Sequence, residues 1–269
     1  MAASAADHGP FALDAPQSIH LQNAPLDRVL CQVRWPELTG FAQRFDAIGE
    51  SLGSALAKDY PLFAKSQETN FVIGPNGIAP QPGTFVYQWS SADGQWSVHF
   101  AATFVTIETA RYTSKEDLLG RLRFILSSLQ EQVAIPLYTR IGYRYTNRVS
   151  TVSDINSLIK PQVRGGGAVP VREGAFVVQS VTETLYSVDQ DKLLARWAQL
   201  PAGATVDPAV QPLDSESWVL DLDAFTEAGA GFHPDEIVDT GLRLARRGYA
   251  FFVWSVTPQF LKTFGAEAK

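Results

Sequence analysis

The sequence predicts an α+β fold in which antiparallel sheet is covered by long helices. Three observations predict it. Residues 137–149 alternate with the period of two that marks a strand. The stretches 38–56 and 118–133 repeat apolar residues every three or four positions, as amphipathic helices do. Antiparallel strands followed by a long helix occur twice, which divides the chain into two structurally similar halves, 25–149 and 150–269. Residues 1–24 carry Ala, Asp and Pro without periodicity and are expected to form a mobile arm.

The first strand is read at 25–35, with Val29, Cys31 and Val33 on one face, and Pro36 stops it. Leu38, Phe41, Phe45, Ile48, Leu52 and Leu56 then mark a helix of about five turns, closed near Pro61. Residues 61–82, with Gly74-Pro75-Asn76-Gly77 in the middle, are expected to be a long loop or flap holding at most a short strand at 71–73. A hairpin of 85–90 and 96–100 turns at Ala92-Asp93-Gly94, and 104–109 adds a third strand. Thr113-Ser114-Lys115-Glu116 offers a capping box for the helix that follows.

In the second half, 152–159 reads as a short helix or turn and 162–170, with Gly165-Gly166-Gly167, as a flexible connector. Residues 175–188 read as a long strand and 218–222 as another. Pro234 suits the first turn of a helix reaching about Ala250. Residues 251–254 are apolar all round and expected to be buried, and Thr257-Pro258 can cap a last short helix.

Hydrophobic residues make up 45% of the 269, enough for a sizeable core. The formal charge of −6 disfavours a phosphate-gripping surface, so nucleic acid is not an expected partner. No run is apolar enough to span a bilayer, and 1–22 lacks a secretory signal pattern. The single cysteine, Cys31, reads as a buried, inert thiol, and the cytoplasm is the expected location.

Residues 137–149 hold the candidate site. The odd positions, Leu137 to Val149, look like core; the even ones carry Arg140, Arg144 and Arg148, roughly 13 Å apart, together with Tyr138. Guanidinium forks match carboxylates and phosphates, so this face is a candidate partner or anion surface. The alternative is pairing with carboxylates on neighbouring strands, Glu108 and Glu183 being candidates. Gly142 inside the strand predicts a bulge or a close approach.

Other chemistry is sparse. His8, His20, His99 and His233 have no metal-ligand spacing, and neither a metal nor a cofactor is expected. No Gly-x-Ser-x-Gly elbow or phosphate-binding loop occurs. Asp221 and Asp223 share a strand face, with Asp191 near, as a carboxylate pair or a solvated face. Arg243, Arg246 and Arg247 crowd a predicted helix end, where cations complement its dipole. Tyr87, Trp89, Trp96, Phe100, Tyr138, Tyr143 and Tyr145 lie on predicted strands, as core or as an aromatic–arginine surface.

Arg140-Ile141-Gly142-Tyr143-Arg144-Tyr145-Thr146-Asn147 resembles the signature of a sporadically distributed family of uncharacterised bacterial proteins, Arg-Ile-Gly-(Leu/Tyr)-Arg-Tyr-x-Asn. Residues 25–36, 104–112 and 252–265 support the resemblance. It implies a cytosolic bacterial protein with a self-contained α+β fold, no reaction, and the distribution of mobile or anti-phage defence genes.

Three functions follow as expectations. The first is a non-enzymatic interaction or scaffold protein that binds a protein partner or its own copy through Arg140, Arg144 and Arg148. On that view Arg144→Glu abolishes the complex and leaves the melting curve intact, whereas unfolding marks a structural arginine. The second is a sensor of a small anionic ligand or nucleotide held by Arg140 or Arg144. The third is a hydrolase or nuclease using His99 with Asp221 or Asp223.

Overall fold

The computed structural model describes residues 9–11, 18–74, 77–150, 154–208 and 210–266. The strands are β1 (Leu26–Arg34), β2 (Leu62–Gly74), β3 (Gly77–Ser90), β4 (Trp96–Ala101), β5 (Phe104–Thr109), β6 (Leu137–Tyr138), β7 (Arg140–Val149), β8 (Ser180–Val188), β9 (Asp191–Leu200), β10 (Ser217–Thr226) and β11 (Ala230–Gly231). The helices are α1 (Phe41–Leu56), α2 (Lys115–Gln132), α3 (Ile155–Leu158), α4 (Pro234–Ser255) and α5 (Pro258–Thr263). The chain is thus mixed α and β with antiparallel sheet.

Two compact units divide it. One is Leu30–Gly142 with Glu227–Leu242, and the other Met1–Val29, Tyr143–Thr226 and Arg243–Lys269. This division by compactness falls inside β1, β7 and α4 rather than near residue 150.

In the first unit the strands run β2-β3-β4-β5-β1. The apolar stripe of α1 buries Phe41, Phe45, Ile48, Leu52 and Leu56. It lies on the sheet face bearing Tyr87, Trp89 and Phe100, and the Phe45 ring stacks on Phe100 at 5.2 Å. Two glycines permit this close approach: a Cβ on Gly49 would sit 2.3 Å from the Tyr87 ring, and one on Gly53 2.6 Å from Trp89 Nε1. The α2 helix starts at Ser114, whose hydroxyl accepts from Asp117 N–H at 3.1 Å, while Arg121 from the same helix lies over Trp96. The opposite face is polar, with Gln32, Gln88, Ser97, His99 and Thr106.

Residues 61–82, expected as a loop, are mostly strand: β2 and the first part of β3 form a long hairpin, with 75–76 outside the described residues. Pro80 and Pro82 lie within β3. They are tolerated because β4 pairs only with Tyr87–Ser90, so β3 is hydrogen-bonded on one side at the prolines.

In the second unit the order is β7-β10-β9-β8. The α4 helix packs on one face, with Phe251 against Trp197 and Tyr186, and Gly248 against the Tyr145 ring. It reaches Ser255, past the expected end near Ala250, so Arg243 and Arg247 lie mid-helix. There they bind the β8–β9 turn: Arg243 is bidentate to the buried Asp191 and Arg247 pairs with Asp189. Asp189 takes the left-handed conformation (φ 53°) that this two-residue turn demands. The connector at 162–170 is ordered, with a short 3₁₀ turn, Gly165–Ala168, seated on Ser180 and Thr182. The described residues of the expected arm are held as well: Phe11 packs on Tyr186 and Phe251, and Tyr249 Oη accepts from Ile19 N–H. The rest of 1–17 lies outside the described residues.

Candidate functional site

The β7 strand is buried on both faces, which decides what its arginines do. Asp221 of β10 stands beside Arg144 and opposite Arg196 of β9. Arg144 donates Nε to Asp221 Oδ1 at 2.6 Å and Nη2 to Oδ2 at 2.7 Å, and Thr146 Oγ1 donates to Oδ1 at 3.1 Å. The same Arg144 Nη2 lies 2.8 Å from Asp207, on the connection between β9 and β10, and Arg28 reaches Asp207 at 3.9 Å. Arg196 bridges Asp221 and Glu183. This ionic chain ties residues 201–216 to the sheet face remote from α4, beside Ala204 and Val206 packed on Ala198, Leu200 and Val219.

Burial of the Arg144 guanidinium works against its charge. The fork to Asp221 outweighs that, with Asp207 and Asp223 adding to it, and the group is held charged well beyond the ordinary arginine range. Such a bidentate pair is shaped to hold two strands and a loop together. Both expected alternative partners, Glu108 and Glu183, turn out to be engaged elsewhere: Glu183 with Arg196, and Glu108 within 3.1 Å of His99.

Arg148 is buried and donates Nη1 to the Gln211 carbonyl, with Asp27 at 3.9 Å. Its Nε and Nη2 have no hydrogen-bond partner among the described residues. Arg140 and Tyr138 lie in the first unit. The Arg140 guanidinium covers Gly142, where a Cβ would meet Nη1 at 2.5 Å, so the expected close approach is made by a neighbouring side chain. Tyr138 is buried in β6, which pairs with β11. The candidate residues therefore form two groups, Arg144 with Arg148 and Arg140 with Tyr138, one in each unit.

Tyr87, Trp89, Trp96, Phe100, Tyr143 and Tyr145 are all buried. His99 sits on the polar face of the first unit, while Asp221 and Asp223 belong to the second. Among the described residues, no three His, Cys, Asp or Glu side chains are grouped so as to hold a metal ion. No described helix is long and apolar enough to cross a membrane. Cys31 is buried.

The surface holds a feature that the sequence pattern did not reveal. Val169, Val171, Phe176, Val178, Val181 and Leu185 are all exposed, from 50% for Val181 to 79% for Phe176. They fall within 17 consecutive positions, 169–185, that lead into and along β8. Along β8 exposure alternates, with Val181, Glu183, Leu185 and Ser187 outward on one face. The signal was present as Phe176-Val177-Val178 beside a Gly/Pro-rich stretch, but the expected strand over 175–188 begins only at Ser180.

No protein-family model and no curated protein matches this chain.

Proposed function

We propose that the protein is a non-enzymatic interaction protein whose docking surface is the apolar segment 169–185. The observation that carries this is the concentration there of six of the eleven large apolar side chains that are exposed among the described residues. Exposed large apolar side chains gathered in one segment of chain mark an interaction site more readily than single scattered ones do. The sheet arginines support the surface from within: Arg144 and Arg196, through Asp221, fasten the strands that carry it. The resemblance of residues 140–147 to a sporadic bacterial family supports a cytoplasmic setting in a mobile or anti-phage defence locus. A repeat of one plan in the two sequence halves has the support of strand runs followed by a long helix, β2–β5 before α2 and β8–β10 before α4.

A photo-crosslinking amino acid at Phe176, used in the native host, tests this. Discrete protein adducts are expected from position 176 and not from the exposed α1 position Glu50. Identical traces from both positions contradict the docking surface.

A second reading, an anion sensor, has one observation in its favour: the Nε and Nη2 of buried Arg148 lack partners among the described residues. Thermal shifts with phosphate, nucleotides and dicarboxylates test it. A rise that disappears in Arg148→Met supports the sensor, and a flat response across the panel removes it.

A further inference from the structure

We propose that two copies of this chain pair antiparallel along β8, each extending the other's sheet. The proposal deepens the docking reading and rests on it, because it names the occupant of the surface at 169–185.

β8 is the terminal strand of its unit and pairs only with β9 among the described residues. A terminal strand presents alternate N–H and C=O groups outward, a template for another strand. Natural edges are blunted with lysine, proline, a bulge or a short strand. β8 has no Lys, Pro or bulge, and its one charged side chain, Glu183, is paired with Arg196 of the neighbouring strand. It is nine residues long and keeps unbroken register with β9 from Ser180 to Val188. The 3₁₀ turn at Gly165–Ala168 contacts the Ser180 and Thr182 side chains and Phe11 the Tyr186 ring, and these three side chains of β8 project from the sheet face rather than from its edge.

The sequence of β8 also selects the register. Two identical strands related by a twofold axis pair along their whole length only when Thr184 stands opposite itself. Glu183, the one charged residue in the strand, then faces Leu185 of the second copy. Sliding the axis to residue 183 would put Glu183 against its own copy, and like charges directly opposite destabilise a ladder. In the favoured register, Val181 and Leu185 of both copies lie diagonally across one face and cover each other. On the other face Thr182 meets Tyr186, a β-branched and aromatic pair.

The test is the mass in solution combined with cysteine coupling. Light scattering on the eluting wild-type protein is expected to give twice the 29.4 kDa chain mass. Thr184→Cys should oxidise to a covalent dimer. Directly opposite Cα atoms are about 4.5–5.5 Å apart, within disulfide reach. Val181→Cys should not couple, because strand rise separates the two copies of that residue by about 20 Å. The native Cys31 is buried and does not compete.

A single-chain mass at every concentration overturns the proposal, and so does equal coupling at 181 and 184. If the mass is that of one chain and position 176 crosslinks a different protein, self-pairing fails while the docking surface stands. If the mass is that of one chain and position 176 crosslinks nothing, both fail.

Discussion

Asp221 is 4% exposed and is shared by Arg144, Arg196 and Thr146, so its removal takes the central carboxylate from two guanidiniums at once and leaves Arg144 only Asp207 and Arg196 only Glu183. Breaking one side of a buried pair costs about 3–5 kcal/mol, and replacing both sides by apolar groups costs less. Urea unfolding of Asp221→Leu should therefore show a loss of that order, and the Arg144→Met/Asp221→Leu double variant should recover part of it. Arg144→Glu would set a third carboxylate beside Asp221 and Asp207 and should unfold more readily than Asp221→Leu. A selective loss of binding with an unchanged melting curve would contradict a structural role for Arg144. Tyr249 supplies a pH signature. Burial raises its phenol above the usual tyrosine value, and the hydrogen bond from Ile19 N–H offsets part of that rise. The folded chain keeps this proton while the unfolded chain loses it near pH 10. Its stabilising contribution is therefore complete below about pH 10 and lost as pH rises through the folded value. Tyr249→Phe should flatten that part of the alkaline stability profile, and an unchanged slope would refute the assignment.

The helices illustrate how far pattern alone reaches. Apolar spacing located α1 and α2 because each lays one stripe on a sheet, and the Ser114 hydroxyl and Thr257 caps are local chemistry. Ser114→Ala should cost about 1 kcal/mol by chemical denaturation. Glycine inside a helix ordinarily costs about 1 kcal/mol relative to alanine. Gly49→Ala should nevertheless destabilise, because its Cβ would overlap the rigid Tyr87 ring and overpacking of that kind costs about 1–3 kcal/mol. A more stable Gly49→Ala protein would show that α1 does not sit so close to β3. The β2–β3 hairpin was not legible for a different reason. Proline forbids a strand only where its N–H is needed, and that depends on which strand lies alongside. The arginines of β7 were legible as one face of a strand. Their partners were not, because Asp207 and Asp221 are more than 60 positions away in the chain.

At the scale of the molecule, alternation cannot tell an outward face from an inward one. Val181 and Leu185 have the spacing of core residues, yet they lie on the sheet face remote from α4 and are exposed. The acidic balance of the chain and its ionic network, closed on its own carboxylates, favour a protein partner over a polyanion. The proposed pairing with a second copy takes its register from the sequence of β8 alone. Hydrogen exchange along Ser180–Val188, compared between dilute and concentrated protein, tests this most directly. Slower exchange of β8 amides at high concentration, with β4 unchanged, is the predicted result; equally fast exchange of β8 at both concentrations would contradict it.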